Sequence, residues 1–291
     1  MQFAFLLEQI VNGLVLGGYY LLLALGLSLI FSVGGVVNLA HGAFYAIGAY
    51  LSLAVADRLG WGAGVVISPL LVGILGIAFE RFLLRRFYSA DPILSLLVTF
   101  GLAMVAEQAI RMIWGAAPLS SNMPAGFKGN IMAGDFMFSR YRLFLLLVVL
   151  VIMTGLWLLL HKTAFGRVVR AGVQRPDMVA VLGIRLQPYM TAIVVLGVAS
   201  AALGGALFGP ITIVHPAMGT EIMTVAFVVV VIGGLGSFWG VVLAAILVGV
   251  VRGITIHFVP AAGEASMYVL MFLVLMFRPR GLLGERIERF E

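Results

Sequence analysis

Residues 141–160 read Tyr141-Arg142-Leu143-Phe144-Leu145-Leu146-Leu147-Val148-Val149-Leu150-Val151-Ile152-Met153-Thr154-Gly155-Leu156-Trp157-Leu158-Leu159-Leu160. From Leu143 to Leu160 no side chain is charged. About 20 apolar residues in a helix cross a hydrocarbon core about 30 Å thick. The stretch is therefore a membrane span, with Tyr141 at its border where aromatic side chains favour the interface. Similar apolar runs fall near 9–31, 38–56, 62–79, 92–114, 189–208, 221–234, 238–256 and 264–277. The seventh run in chain order, 221–234, and the last are short, and the seventh reads as a half-helix or re-entrant segment. The expected fold is an all-α polytopic membrane protein of about eight or nine transmembrane or re-entrant helices.

Composition agrees. The 291 residues are 63% hydrophobic and 10% charged, against roughly a quarter charged in soluble domains. Lipid is the solvent that suits such a chain, and its 36 glycines suit close helix packing there. The absence of cysteine excludes a disulfide framework, a thiolate metal site and a cysteine nucleophile. Met1 to Gln9 contains no Lys or Arg, so no cleavable signal is expected. No polar linker divides the pattern, and residues 1–291 read as one membrane domain.

The net charge of +6 is a matter of topology and not of a nucleic-acid partner. Arg81, Arg85 and Arg86 lie between the third and fourth runs. Lys162, Arg167, Arg170, Arg175 and Arg185 lie in 161–188, and Arg278, Arg280, Arg286 and Arg289 in the tail. The positive-inside rule makes all three segments cytoplasmic. The 115–140 segment, rich in Gly, Pro, Ser and Asn, reads as an external loop. The N-terminus then lies outside and the C-terminus inside. This count requires a turn near 232–238, where the sequence is Gly233-Gly234-Leu235-Gly236-Ser237.

Four elements are candidates for function. The first is Gly34-Gly35-Val36-Val37-Asn38-Leu39-Ala40-His41-Gly42. Asn38 and His41 share a helix face by their spacing, and polar groups in lipid turn inward to find partners. Two readings stand: a broken element lining a substrate path, or a helix cap with an interhelical hydrogen bond. No second His or carboxylate lies near His41 in sequence, so no metal site is expected. The second element is Gly233-Gly234-Leu235-Gly236-Ser237, either an unwound constriction or a tight turn. The third is the basic segment 161–188. Asp177 suits the first turn of a short helix; Met178, Val181 and Leu182 fall on one face; Gly183 can end it. That apolar face either docks into a partner or lies on lipid. The fourth is a set of charges at or within the runs. Glu107 and Arg111, at i and i+4, are the best candidates for a buried pair. Glu80, Arg81 and Arg252 are expected to reach to the headgroups.

No catalytic motif is present: there is no GxSxG, no HExxH and no Walker A loop with its lysine. An enzyme is not expected, and any use of ATP belongs to another subunit.

In this order the elements resemble the branched-chain amino acid ABC permease family, specifically its shorter permease subunit. The similarity is carried by Asn12-Gly13, Gly17-Gly18-Tyr19-Tyr20 and Ala24-Leu25-Gly26-Leu27-Ser28-Leu29-Ile30-Phe31, then Val36-Val37-Asn38-Leu39-Ala40-His41-Gly42 with Gly48-Ala49-Tyr50. It continues through Thr163, Gly166-Arg167, Arg170-Ala171 and Leu182-Gly183-Ile184 to Gly233-Gly234-Leu235-Gly236-Ser237 and Arg278-Pro279-Arg280-Gly281-Leu282-Leu283-Gly284. Ser32 stands where the family usually has Gly, and Arg175-Pro176 precedes Asp177. The resemblance implies a bacterial inner-membrane heterodimer with a second permease subunit, two cytoplasmic ATP-binding subunits and a periplasmic binding protein. It implies import of branched-chain amino acids, with urea, amides and aromatic acids as relatives' cargo. Asn38, His41, Gly42, Gly233, Gly234, Gly236 and Ser237 then belong to the substrate pathway. Gly166, Arg167, Arg170, Asp177, Leu182 and Gly183 belong to ATPase coupling. The competing reading is a stand-alone secondary transporter or channel for a small solute.

Overall fold

Where the helical pattern stops, a residue with a local reason to stop it is found. Gly60, at φ 86°, joins the second helix to the third with no intervening loop. Asp91 accepts a hydrogen bond from the Ile93 amide at 2.9 Å and so caps the fourth helix, which opens on Pro92. The Thr163 and Ser237 hydroxyls accept from the amides three residues on, each at 3.2 Å.

The computed structural model describes residues 2–88, 91–133 and 136–284. Arg286 and Arg289 of the tail lie outside them. The helices are α1 (Gln2–Gly34), α2 (His41–Leu59), α3 (Trp61–Phe82), α4 (Pro92–Trp114), α5 (Arg140–Lys162), α6 (Ala164–Gln174), α7 (Pro176–Val181), α8 (Gln187–Phe208), α9 (Met218–Gly233), α10 (Phe238–Phe258) and α11 (Gly263–Phe277). Among the described residues, seven helical stretches are long and apolar enough to cross a membrane. They contain α1, α3, α4, α5, α8, α10 and α11. α2 is absent from that set, and α9, with 16 residues, is too short for it. The chain is an all-α membrane protein as its pattern predicts. α9 falls short in length because it begins at a break inside the bundle, whereas α2, with 19 residues, falls short in mean hydropathy because it opens on His41 and closes on Asp57-Arg58-Leu59.

The segment read as a plain loop, 115–140, contains a two-stranded antiparallel hairpin, β1 (Asn130–Ala133) and β2 (Phe136–Ser139), in register Asn130–Ser139 and Ile131–Phe138. A bridge between Leu119 and Val214 ties this segment to the α8–α9 connection.

α8 packs against α1, α2 and α3, and α1 also runs along α10. Small residues set these distances. A Cβ on Gly13 would lie 2.7 Å from the Val250 Cα, and one on Gly26 would lie 2.5 Å from the Gly197 carbonyl oxygen. Without a hydrophobic driving force between helices in lipid, such close contact supplies the dispersion energy that holds them. The α1 span is 78% buried inside the protein, whereas those of α4 and α5 are each 17% buried. α1 is thus central, and α4, α5 and α11 form the periphery.

Candidate functional site

The break after α1 turns the chain back into the bundle. His41, the first residue of α2, places Nε2 3.1 Å from the Leu23 carbonyl oxygen. Leu23 precedes the Gly34 end of α1 by three helical turns, so α2 starts about 16 Å back along α1. The connecting backbone at 35–40 is not helical. Such backbone needs polar partners inside a membrane. Thr99 of α4 supplies one, its hydroxyl accepting from the Leu39 amide at 3.1 Å. The His41 amide donates to the Asn38 carbonyl at 3.3 Å.

A second break, before α9, meets the first. A Cβ on Gly42 would run into the Gly219 carbonyl, and one on Gly219 into that of Gly42. The first turns of α2 and α9 are therefore in backbone contact, and their positive dipole ends converge. Asn38 and His41 lie behind this contact, both fully buried. Neither Asn38 side-chain polar atom, nor His41 Nδ1, has a hydrogen-bond partner among the described residues.

Two cavities flank the break. One, of about 260 Å³, lies between α2, α4 and α9 and is lined by Leu39, Ala43, Phe100, Met104, Glu107 and Thr220 among others. The other, of about 930 Å³, lies at the Gly34 end of α1 and extends to Val169, Arg175, Asp177 and Tyr189. Leu39 lines the first and Gly34 and Gly35 the second. Asn38 and His41 line neither; their neighbours in the chain do.

Glu107 and Arg111 form the expected ion pair at 2.7 Å, half-buried and not fully enclosed. The second Glu107 oxygen accepts from the Thr220 hydroxyl at 3.1 Å, joining α4 to α9.

Glu80 and Arg252 correct the sequence reading. Glu80 is fully buried and does not reach a headgroup. Arg85 binds it through two nitrogens at 3.2 and 3.1 Å, and the Thr191 hydroxyl donates to it at 2.8 Å. The Tyr88 hydroxyl donates to it at 3.4 Å. Burial, and next the Glu80 charge, push the Tyr88 phenol well above its usual range. Arg252 turns inward and donates to the Tyr20 hydroxyl, with Glu264 3.9 Å away. Arg81 is exposed. Folding brings Thr191 to Glu80 and Tyr20 to Arg252, hydrogen bonds that a charge held away from water requires.

The segment between α5 and α8 carries the other candidate residues. A Cβ on Gly166 would collide with Leu160, and Arg170 donates to the Leu160 carbonyl. Phe165 stacks on Tyr189 with centroids 5.6 Å apart. α6 is thus fixed to α5 and α8. α7 starts at Pro176 with Asp177 in its first turn, and Gly183 follows at φ 74°. Met178, Val181 and Leu182 are 58%, 84% and 75% exposed. Arg167 is also exposed.

Gly233 to Ser237 form a turn between α9 and α10. Gly233 packs on Gly240, a Cβ at Gly236 would lie 3.5 Å from the Ser32 Cβ, and Ser237 caps α10. Gly234, at φ 99°, abuts Gly284. The Leu282 and Leu283 amides donate to the Ile232 and Gly233 carbonyls at 2.8 and 3.1 Å. Two signatures distant in sequence therefore form one unit, which spacing alone does not reveal.

Residues 9–277 match the family model described as branched-chain amino acid transport system / permease component. The chain is 26% identical to the high-affinity branched-chain amino acid transport system permease protein LivH of Escherichia coli strain K12, over 97% of each chain. It is 27% identical to the corresponding protein BraD of Pseudomonas aeruginosa, over 96% of this chain and 95% of that one. It is 30% identical to LivM of Escherichia coli strain K12, over 91% of this chain but 67% of that protein. No solved structure matches. A match that runs through both breaks, the segment between α5 and α8 and the turn before α10 is a match to the whole fold, and the chain belongs to the branched-chain amino acid transport permease family.

Proposed function

We propose that this chain is one of two membrane subunits of an ATP-driven importer of branched-chain or related amino acids. The observation that carries the reading is the exposed apolar tip of α7. Met178, Val181 and Leu182 project from the basic end of the bundle, exposed among the described residues. An apolar knob on a positively charged, cytoplasm-facing loop fits a socket in an ATP-binding subunit, since this chain has no nucleotide loop of its own. Arg167, Arg170, Asp177, Leu182 and Gly183 hold or shape the knob, and Gly166 allows its base to sit tightly on α5.

In this reading two cytoplasmic ATPases close on ATP and push α6 and α7. The attachments of α6 at Leu160 and Tyr189 pass the motion to α5 and α8. The broken segment at Asn38–Gly42 and the Gly233–Ser237 turn bound the solute path. A periplasmic binding protein delivers the solute, and the second permease closes the other side of the path. In this reading the whole complex sits in the inner membrane of a bacterium; the names of the LivH, BraD and LivM relatives support the branched-chain amino acid cargo.

The test is Val181→Asp with Leu182→Asp, read by copurification of the ATPases and by leucine uptake. Both are expected to fall at least tenfold while the membrane part keeps its unfolding temperature. Full ATPase association and uptake in the double variant overturns the coupling assignment.

A further inference from the structure

The peripheral helices differ in one respect. α5 carries no charge from Leu143 to Leu160, and α11 none after Glu264. α4 is equally peripheral, yet bears Glu107 about 10 Å inside its Trp114 end, with Arg111 one turn beyond. An ionised pair on a lipid-facing helix is costly, and such groups mark cavities that admit water or solute. Glu107 lines the cavity between α2, α4 and α9, while Arg111 does not. The cavity thus meets the negative end of the pair. With one bond to Arg111 and one to Thr220, the carboxylate retains lone pairs for a further donor. Apart from Thr220 and Thr224, the other walls are mostly apolar, notably Leu39, Ala43, Phe100 and Met104. At about 260 Å³ the space is of the size that takes a single small solute.

Resting on the proposed import function, we infer that this cavity is a solute station in which Glu107 receives the α-ammonium group of an aliphatic amino acid and the apolar wall receives its side chain. The cavity selects for a cationic nitrogen beside a branched hydrocarbon. It disfavours urea and simple amides, which bring no positive charge.

The absence of native cysteine in this chain makes a direct test available. Met104→Cys is introduced into the full assembly in nanodiscs, and its labelling by a thiol reagent is timed on this chain. Millimolar leucine and isopentylamine are expected to slow labelling, and 4-methylpentanoate is not. In Met104→Cys with Glu107→Gln, protection is measured against that variant's own labelling rate without solute. The half-protecting leucine concentration rises about tenfold or more, the weight of one charge-assisted hydrogen bond. Glu107→Asp preserves protection.

Protection by 4-methylpentanoate but not isopentylamine overturns the inference, on a chain whose Glu107 is untouched. So does equal leucine protection in Glu107→Gln. Absence of leucine protection in an assembly that imports leucine also overturns it, and leaves the import function standing. Failure of the assembly to import any amino acid strikes at the function itself, separately from the labelling result.

Discussion

Glu80 shows how much one side chain can depend on distant sequence. Next to Arg81 at a helix end it reads as an interfacial charge, and only folding brings Thr191 to it, 111 residues away. Removing one partner of a buried ion pair costs about 3–5 kcal/mol. Glu80→Ala is expected near the lower limit of that range, because the Arg85 side chain keeps 32% exposure and can rehydrate. The thermal unfolding midpoint in detergent measures it; an unchanged midpoint contradicts the network's structural role. Gly42→Val offers a contrast between two glycines. Its side chain would enter the Gly219 backbone, an overpacking cost of about 1–3 kcal/mol with loss of uptake. Gly101→Ala on α4, where a Cβ meets nothing within 4 Å, is expected to leave both unchanged. The sequence marks Gly42 as part of the 34–42 element and leaves Gly101 unmarked, but it does not show that Gly42 faces the Gly219 backbone.

Local rules made some elements legible and not others. Pro176, Asp177 and the Met178, Val181, Leu182 face define α7 from sequence because a short helix is specified by its own residues. The turn at Gly233–Ser237 was legible for the same reason. The β1–β2 hairpin was missed because composition suited a loop. The docking of the tail on that turn was hidden, being a contact between segments about fifty residues apart. It carries its own prediction. Gly281, at φ 79°, would place a Cβ 2.6 Å from the Gly234 nitrogen. Gly281→Ala is therefore expected to cost at least about 1 kcal/mol through the strained backbone alone. Faster proteolysis after Arg278 or Arg280 reports the loosened tail, and an unaltered cleavage rate refutes the link.

For the molecule as a whole, apolar length and arginine placement make the membrane class readable before any contact is known. Depth is not readable in that way. The 38–56 and 221–234 runs resemble spans in composition, but their N-terminal ends meet in the interior of the bundle. Orientation has a direct measurement. Single cysteines at Ser120 and Val181, in a chain with no native cysteine, are expected to react with an impermeant thiol reagent in opposite ways. Ser120→Cys labels from outside intact cells, and Val181→Cys only after lysis. The reverse pattern would invert the proposed topology.

The lacing of Leu282 and Leu283 onto Ile232 and Gly233 also bears on biosynthesis. Translation proceeds at about 5–20 residues per second. The C-terminal end of α9 therefore waits several seconds for the tail segment that completes it. During that interval the two carbonyls depend on solvent or on an insertion factor, so this corner of the bundle matures well after α9 itself is made.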